Sequence, residues 1–173
     1  IIAALLWWSD FLSKVLDPYI VILNSIPKVA LGPVFIVWLG TGLKPVIAMA
    51  IATSIIVTIM MVHNGFKTID PNKIKLMRTF GATRLQIFTK VVVPASVPTM
   101  IAALKVSVGL SLVGTIVGEF LGSKAGLGYL IVYGGQIFNM SLVMAAVIML
   151  SIVSALLYYL VTLLERKVVK FHE

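Results

Sequence analysis

Cysteine is absent from the chain, which excludes a disulfide framework, an iron–sulfur cluster and a thiolate zinc site. Charge is scarce as well. Asp, Glu, Lys and Arg make up 12% of the 173 residues, against about 25% in soluble domains. No Gly-x-x-x-x-Gly-Lys-Ser/Thr phosphate loop occurs, and the nearest approach, Gly40-Thr41-Gly42-Leu43-Lys44, has the wrong spacing. His63 and His172 are the only histidines and stand far apart, so a metal site from them is not expected. The serines have no His and Asp at a matching depth, which leaves nucleophilic catalysis without support. No catalytic, cofactor-binding or metal residue is assigned, and no enzymatic activity is expected of this chain.

What is present is apolar. Hydrophobic residues make up 60% of the chain and the mean hydropathy is +1.10, too little polar surface to cover a globule and too much apolar surface for disorder. The composition is that of an all-α integral membrane protein. A formal charge of +8 is one mark of nucleic-acid binders. In so apolar a chain it reads instead as loops on the cytoplasmic face of a bilayer, with lipid and not nucleic acid as the partner.

Four candidate spans follow from the requirement of about 20 mostly apolar residues each. The first lies near Pro27 to Leu39, with an earlier start at Tyr19 and a break in the middle as an alternative. The others run from Pro45 to Val62, Pro98 to Gly122 and Met140 to Leu164. The opening run, Ile1 to Trp8, has no initiating Met and reads as the tail of a span that begins before it, its two Trp suiting an interface. Six of the fourteen basic residues, Lys67, Lys73, Lys75, Arg78, Arg84 and Lys90, fall between the second and third spans. Arg166, Lys167 and Lys170 follow the last, whereas the two other connections carry one Lys each, Lys44 and Lys124. The positive-inside rule therefore puts residues 65–94 and the C-terminus in the cytoplasm, and Ser9 to Asn24 with them.

The stretch from Gly65 to Pro94 reads as two short helices. Asp70-Pro71 is a helix start, since Asp can cap free N–H groups and Pro at the first position loses no hydrogen bond. Ile74, Leu76, Met77 and Phe80 follow, and Gly81 suits the left-handed residue that closes a helix. Thr83-Arg84-Leu85-Gln86 matches a capping box, and Pro94 is expected to end the second helix before the next span. Two readings stand for this hairpin: docking on a partner, or a solvated loop with its apolar residues on lipid headgroups.

The third span carries intramembrane polar groups. Ser107, Ser111, Thr115 and Glu119 recur every four residues, and Gly114, Gly118 and Gly122 form a small-residue ridge beside them. Ser and Thr there either line a pathway or serve as small packing residues. Glu119 is costly in a membrane and needs a partner, for which Lys124 is the expected one.

Several of these residues also carry a resemblance. Gly81-Ala82, then Val91-Val92-Val93-Pro94, is similar to the second half of the Glu-Ala-Ala loop of permease subunits of ATP-binding-cassette importers. Lys75-Leu76-Met77 stands where that family has Glu-Ala-Ala. Ser25-Ile26-Pro27, Ala30-Leu31-x-Pro33, Val117-Gly118-Glu119 and Ala125-Gly126-Leu127-Gly128-Tyr129-Leu130 resemble the nitrate, sulfonate and taurine branch. The resemblance implies a multi-span type I importer permease fold in a bacterial plasma membrane, a single permease domain over 1–173 with about four full spans plus the end of another, N-terminally truncated. It implies a cytoplasmic ATPase that binds the ATP, an extracytoplasmic binding protein and a second permease subunit, as a homodimer. Asp70, Ile74, Met77, Phe80, Gly81, Ala82 and Pro94 become the ATPase-coupling loop, with Ile74, Met77 and Phe80 facing the ATPase. The solute would be a small anion or organic molecule such as a sulfonate, taurine or nitrate. An ion-coupled secondary transporter is the competing class, disfavoured because no internal repeat is present and such a carrier needs no docking hairpin.

The charge asymmetry makes a direct test. A cysteine at Lys73 or Lys170 should react only with a membrane-impermeant thiol reagent applied from the cytoplasm, and one at Lys124 only from outside. Labelling of Lys73 and Lys124 positions from the same side contradicts the span count.

Overall fold

The computed structural model of the chain describes residues 1–169, so Lys170 and His172 lie outside the described residues. Helices α1 (Ile2–Trp8) and α2 (Asp10–Ser25) lead through a 3₁₀ turn, Lys28–Leu31, into α3 (Gly32–Leu39) and α4 (Leu43–Lys67). Two short helices, α5 (Pro71–Thr79) and α6 (Arg84–Ile87), connect through a π-turn, Phe88–Val92, to α7 (Val93–Gly122). Then come α8 (Leu127–Gln136) and α9 (Met140–Val169). No strand occurs among the described residues.

Three continuous helical runs, Leu43–Lys67, Arg84–Gly122 and Met140–Arg166, are long and apolar enough to cross a membrane. The expected first span is instead a bent pair, Asp10–Ser25 and Lys28–Leu39, meeting at 80°. The break sits at Ile26, whose extended backbone (φ −63°, ψ 129°) is the conformation preferred before a proline. The segment expected as a cytoplasmic connection from Ser9 is thus mostly helix. Its start is clamped to the end of α4: His63 Nε2 lies 3.0 Å from Ser13 Oγ, Ser13 Oγ donates to Asp17 Oδ2 at 3.3 Å, and Lys67 Nζ meets Asp17 Oδ2 at 3.1 Å. His63 is 3% exposed and belongs to this clamp.

Pro94 does not end the helix before the third span, as its position in the sequence suggests. The π-turn ahead of it shifts the hydrogen-bond register, so that Val93 N–H donates to Phe88 O and Pro94 falls in the first turn of a new α-helical run. There its missing N–H leaves nothing unsatisfied.

Helices α4 and α7 form the most extensive contact in the fold. Gly114, Gly118 and Gly122 are buried along it. A Cβ on Gly114 would come within 2.6 Å of Met49 O, and one on Gly118 within 2.7 Å of Val46 Cα, so the two backbones touch where these residues have no side chain. Gly65 of α4 makes room for the Thr99 side chain of α7, whose Cγ2 a Cβ there would meet at 2.8 Å. Thr53 Oγ1 donates across the pair to Leu110 O at 3.0 Å, and Thr58 and Ser107 share a hydroxyl–hydroxyl bond. Helix α9 closes against α7 and α8.

The glycine contact carries an internal control. Gly118→Ala should destabilise the purified protein by about 1–3 kcal/mol, the usual cost of overpacking, and Gly118→Leu by more, read as a lowered thermal midpoint in detergent. Gly109, where a Cβ meets nothing within 4 Å, should accept Ala without loss. Equal tolerance at Gly118 and Gly109 contradicts the close approach.

Candidate functional site

The hairpin between α4 and α7 is built by local rules. Asp70 Oδ1 accepts from Asn72 N–H at 2.8 Å, and Pro71 occupies the first helical position. At the other end of α5, Ala82 N–H donates to Met77 O (3.0 Å) and Gly81 N–H to Arg78 O (2.9 Å), the paired bonds of a Schellman motif. Gly81 carries the left-handed residue of that motif at φ +75°. No heavy atom lies within 4 Å of a Cβ there, so its requirement is conformational and not steric. Thr83 and Gln86 then form both bonds of a capping box, Gln86 N–H to Thr83 Oγ1 and Thr83 N–H to Gln86 Oε1.

The apolar residues of the hairpin divide by face. Ile74, Met77 and Ala82 turn inward onto a core of Ala3, Phe66, Ile69, Ile87 and Val92, which Phe88 and Val91 also cover. Ile74 and Met77, expected from the sequence to face a partner, are partly buried against this core and fix α5 to the ends of the spans. The outward apolar pair is Leu76, 57% exposed, and Phe80, 76% exposed. These two stand one helical turn apart on the same face. Leu76 is not among the residues the sequence reading gives to the partner-facing side, although its four-residue spacing from Phe80 is the signal for it. Aromatic packing holds the hairpin from the other side: the Phe88 ring is 4.9 Å from Trp7 and 5.6 Å from Phe66, and the Arg84 guanidinium lies over Trp7 and Trp8 at 5.7 and 5.5 Å.

The polar residues of α7 do not act as one face. Each step of four residues rotates about 40° around the helix, so Ser107 and Glu119 end about 120° apart. Ser107 bonds Thr58 of α4, while Ser111 and Thr115 donate back to Val108 O and Ser111 O, at 2.9 Å each. Glu119 does not pair with Lys124, which forms no ion pair among the described residues. Glu119 Oε2 accepts from Gly128 N–H at 2.7 Å, in the first turn of α8, where helix N–H groups have no partner of their own. The geometry explains the glycines of Gly126-Leu127-Gly128. A Cβ on Gly126 would lie 2.3 Å from Glu119 Cδ, and one on Gly128 2.9 Å from Oε2. Lys105, the other charge in α7, pairs with Glu165 of α9 and lies 5.6 Å from the Tyr158 ring. Glu165 was not foreseen, since it falls just beyond the expected end of its span.

A bundle of long apolar helices that carries a capped, anchored hairpin between two of them defines a polytopic membrane subunit. The chain belongs to the family described as the binding-protein-dependent transport system inner membrane component, whose model matches residues 1–170. It is 31% identical over 157 residues to a probable ABC transporter permease protein of Haemophilus influenzae, covering 91% of this chain and 64% of that one. A putative aliphatic sulfonates transport permease, SsuC, of Bacillus subtilis is 30% identical, covering 90% of this chain and 56% of that one. The formylaminopyrimidine transport permease ThiX of Halalkalibacterium halodurans is 30% identical over 75% of this chain and 52% of its own. The chain thus spans 52–64% of the length of these relatives. A chain of the inward-facing MetNI methionine ABC transporter superposes with a TM-score of 0.83 at 23% identity, covering 96% of this chain and 84% of that one, which establishes the type I importer permease fold. Family membership disfavours the secondary-transporter alternative.

The Glu119 cap makes the next test. Glu119→Ala should cost about 0.5–2 kcal/mol, as the loss of a helix cap does, and should speed hydrogen exchange of the α8 amides selectively. Lys124→Ala should leave both unchanged. The opposite pattern restores the Glu119–Lys124 pair.

Proposed function

We propose that this chain is the permease part of an ATP-binding-cassette importer in a bacterial plasma membrane, and that the hairpin of α5 and α6 couples it to a separate cytoplasmic ATPase. The observation that carries the reading is the outward pair Leu76 and Phe80, placed on a hairpin whose inner face is packed directly on the ends of the spans. A push on that pair passes to α4 and α7 through Ile74, Met77 and Phe88 without a flexible joint, because Asp70, Gly81 and Thr83 cap both helices. The basic residues of the hairpin support a cytoplasmic placement of residues 65–94 and of the C-terminus. ATP would be bound by the partner, a binding protein would deliver the solute from outside, and a second copy of the permease would complete the pathway.

The transported solute in this reading is a small anion or organic molecule, supported by relatives named for aliphatic sulfonates, taurine and formylaminopyrimidine. Within α7, Ser111 and Thr115 are the candidate pathway hydroxyls. Gly114, Gly118 and Gly122 serve packing, and Glu119 holds α8.

Leu76→Ala and Phe80→Ala should each weaken ATPase association by about 1–3 kcal/mol while leaving membrane insertion unchanged. Gly81→Val should do the same by forcing a β-branched residue to positive φ. Co-purification with the ATPase and ATP-driven uptake, measured separately, check this. Full retention of both in all three variants would show that the hairpin is not the coupling element.

A further inference from the structure

Between the hairpin and the spans lies a cleft of about 210 Å³ lined by Lys67, Arg78, Arg84, Trp7 and Asp10. Its floor is apolar, formed in part by Leu6 and Ile87, which are 1% and 2% exposed. Three cations from three helices thus converge on one concavity. Lys67 has its partner in Asp17 at 3.1 Å. Arg78 and Arg84 have no carboxylate within 4.0 Å among the described residues, and neither side chain donates a hydrogen bond there. Arg84 is nonetheless held in place over the two Trp rings. A guanidinium that is oriented but unpaired is prepared for an oxyanion that offers two oxygens, a carboxylate or a phosphodiester, which it can bind bidentately.

The position of the cleft indicates what kind of oxyanion. Lys67 closes α4, a helix long and apolar enough to cross a membrane, so the cleft lies at the end of that span. Beside it, α2 keeps Ser13 and Asp17 toward α4 and exposes Phe11, Val15, Tyr19 and Ile22, at steps of four, four and three residues. The outward side of α2 is broadly apolar, Leu12, Val21 and Leu23 included, and suits acyl chains. Basic pockets at span ends, next to such a face, suit anionic lipid headgroups.

We infer that this cleft binds the headgroup of an anionic glycerophospholipid, its phosphodiester on Arg78 and Arg84 and a head hydroxyl donating to Asp10. Phosphatidylglycerol has both groups. Among the described residues Asp10 is the one acid lining the cleft, and it disfavours a bare phosphate while accepting from a hydroxyl. A lipid held there bridges α2, α5 and α6 and ties the hairpin to the bilayer. The inference stands on the cleft and the span ends and does not depend on the ATPase reading, so its readout is lipid retention and not uptake.

The test uses the full-length permease in detergent, loaded from phosphatidylglycerol, phosphatidylethanolamine or phosphatidylcholine micelles, washed, and analysed by native mass spectrometry. Phosphatidylglycerol should be retained in preference to the other two. Arg78→Gln and Arg84→Gln should each reduce its retention about five-fold, the Boltzmann factor for one basic residue at a membrane surface. Lys73→Gln and Lys90→Gln, basic positions of the same segment outside the cleft, should leave it unchanged. Because Arg84 also packs on Trp7 and Trp8, Arg78→Gln is the decisive variant, with no such contact to lose. Undiminished retention in Arg78→Gln overturns the site. So does an equal loss in the two Lys variants, which marks a diffuse surface field, or a preference for phosphatidylethanolamine. Displacement of the lipid by glycerol phosphate in solution assigns the cleft to a soluble phosphate ester and overturns the lipid.

Discussion

The rest of the architecture depends on the close approach of α4 and α7, where one helix has no side chains to hold the other away. In a bilayer, burying apolar side chains against one another brings little gain over contact with lipid, so helices associate through fit and through bonds between polar groups. Gly114 and Gly118 provide the fit, with the backbone at Val46 and Met49 entering the space a Cβ would occupy. Once the backbones are that near, the hydroxyls of Thr53, Thr58 and Ser107 reach across. The position of α4 relative to α7 then sets where Lys67 and Arg84 emerge, and hence where the hairpin between them can sit.

The same medium explains the placement of the two ionisable groups within α7, Lys105 and Glu119. An unpartnered charge in hydrocarbon is expensive, and each is answered locally. Glu119 is answered by an amide at the start of α8, and Lys105 by Glu165 and the face of Tyr158. Both solutions do structural work, the first seating α8 on α7 and the second joining α7 to α9. The same glycines that admit the carboxylate of Glu119 give the loop its sequence pattern. A substitution at Gly126 or Gly128 is therefore a change to the environment of Glu119.

The hairpin combines two kinds of determinism. Its helix limits are local, set by Asp70, Gly81 and the Thr83–Gln86 box, and they would be similar in any context. Its orientation is not local. Trp7, Phe66 and Phe88 form an aromatic anchor drawn from three separate segments, and this decides which face of α5 is covered and which is free. Ile74 and Met77 lie on the covered face and Leu76 and Phe80 on the free one, a division that spacing alone left open because the helix has apolar residues on both sides.

Composition by itself determined the class, since a chain with so much apolar surface and so little charge has no stable form outside a bilayer. Hydropathy located three of the spans, because about 20 apolar residues in a row have few other uses. Helix starts and stops in the hairpin were legible for the same reason that short peptides show them: caps are bonds between near neighbours. The continuity of the helix through Pro94 was not legible, because a π-turn is a shift of register that no single residue type encodes. The partners of Glu119 and Lys105 were hidden for a different reason. Along the sequence Lys124 is the near cation, but a carboxylate in a membrane takes the best donor within reach in space. Only the packing of α8 against α7 placed a free backbone amide there, and only the crossing of α9 over α7 brought Glu165 to Lys105.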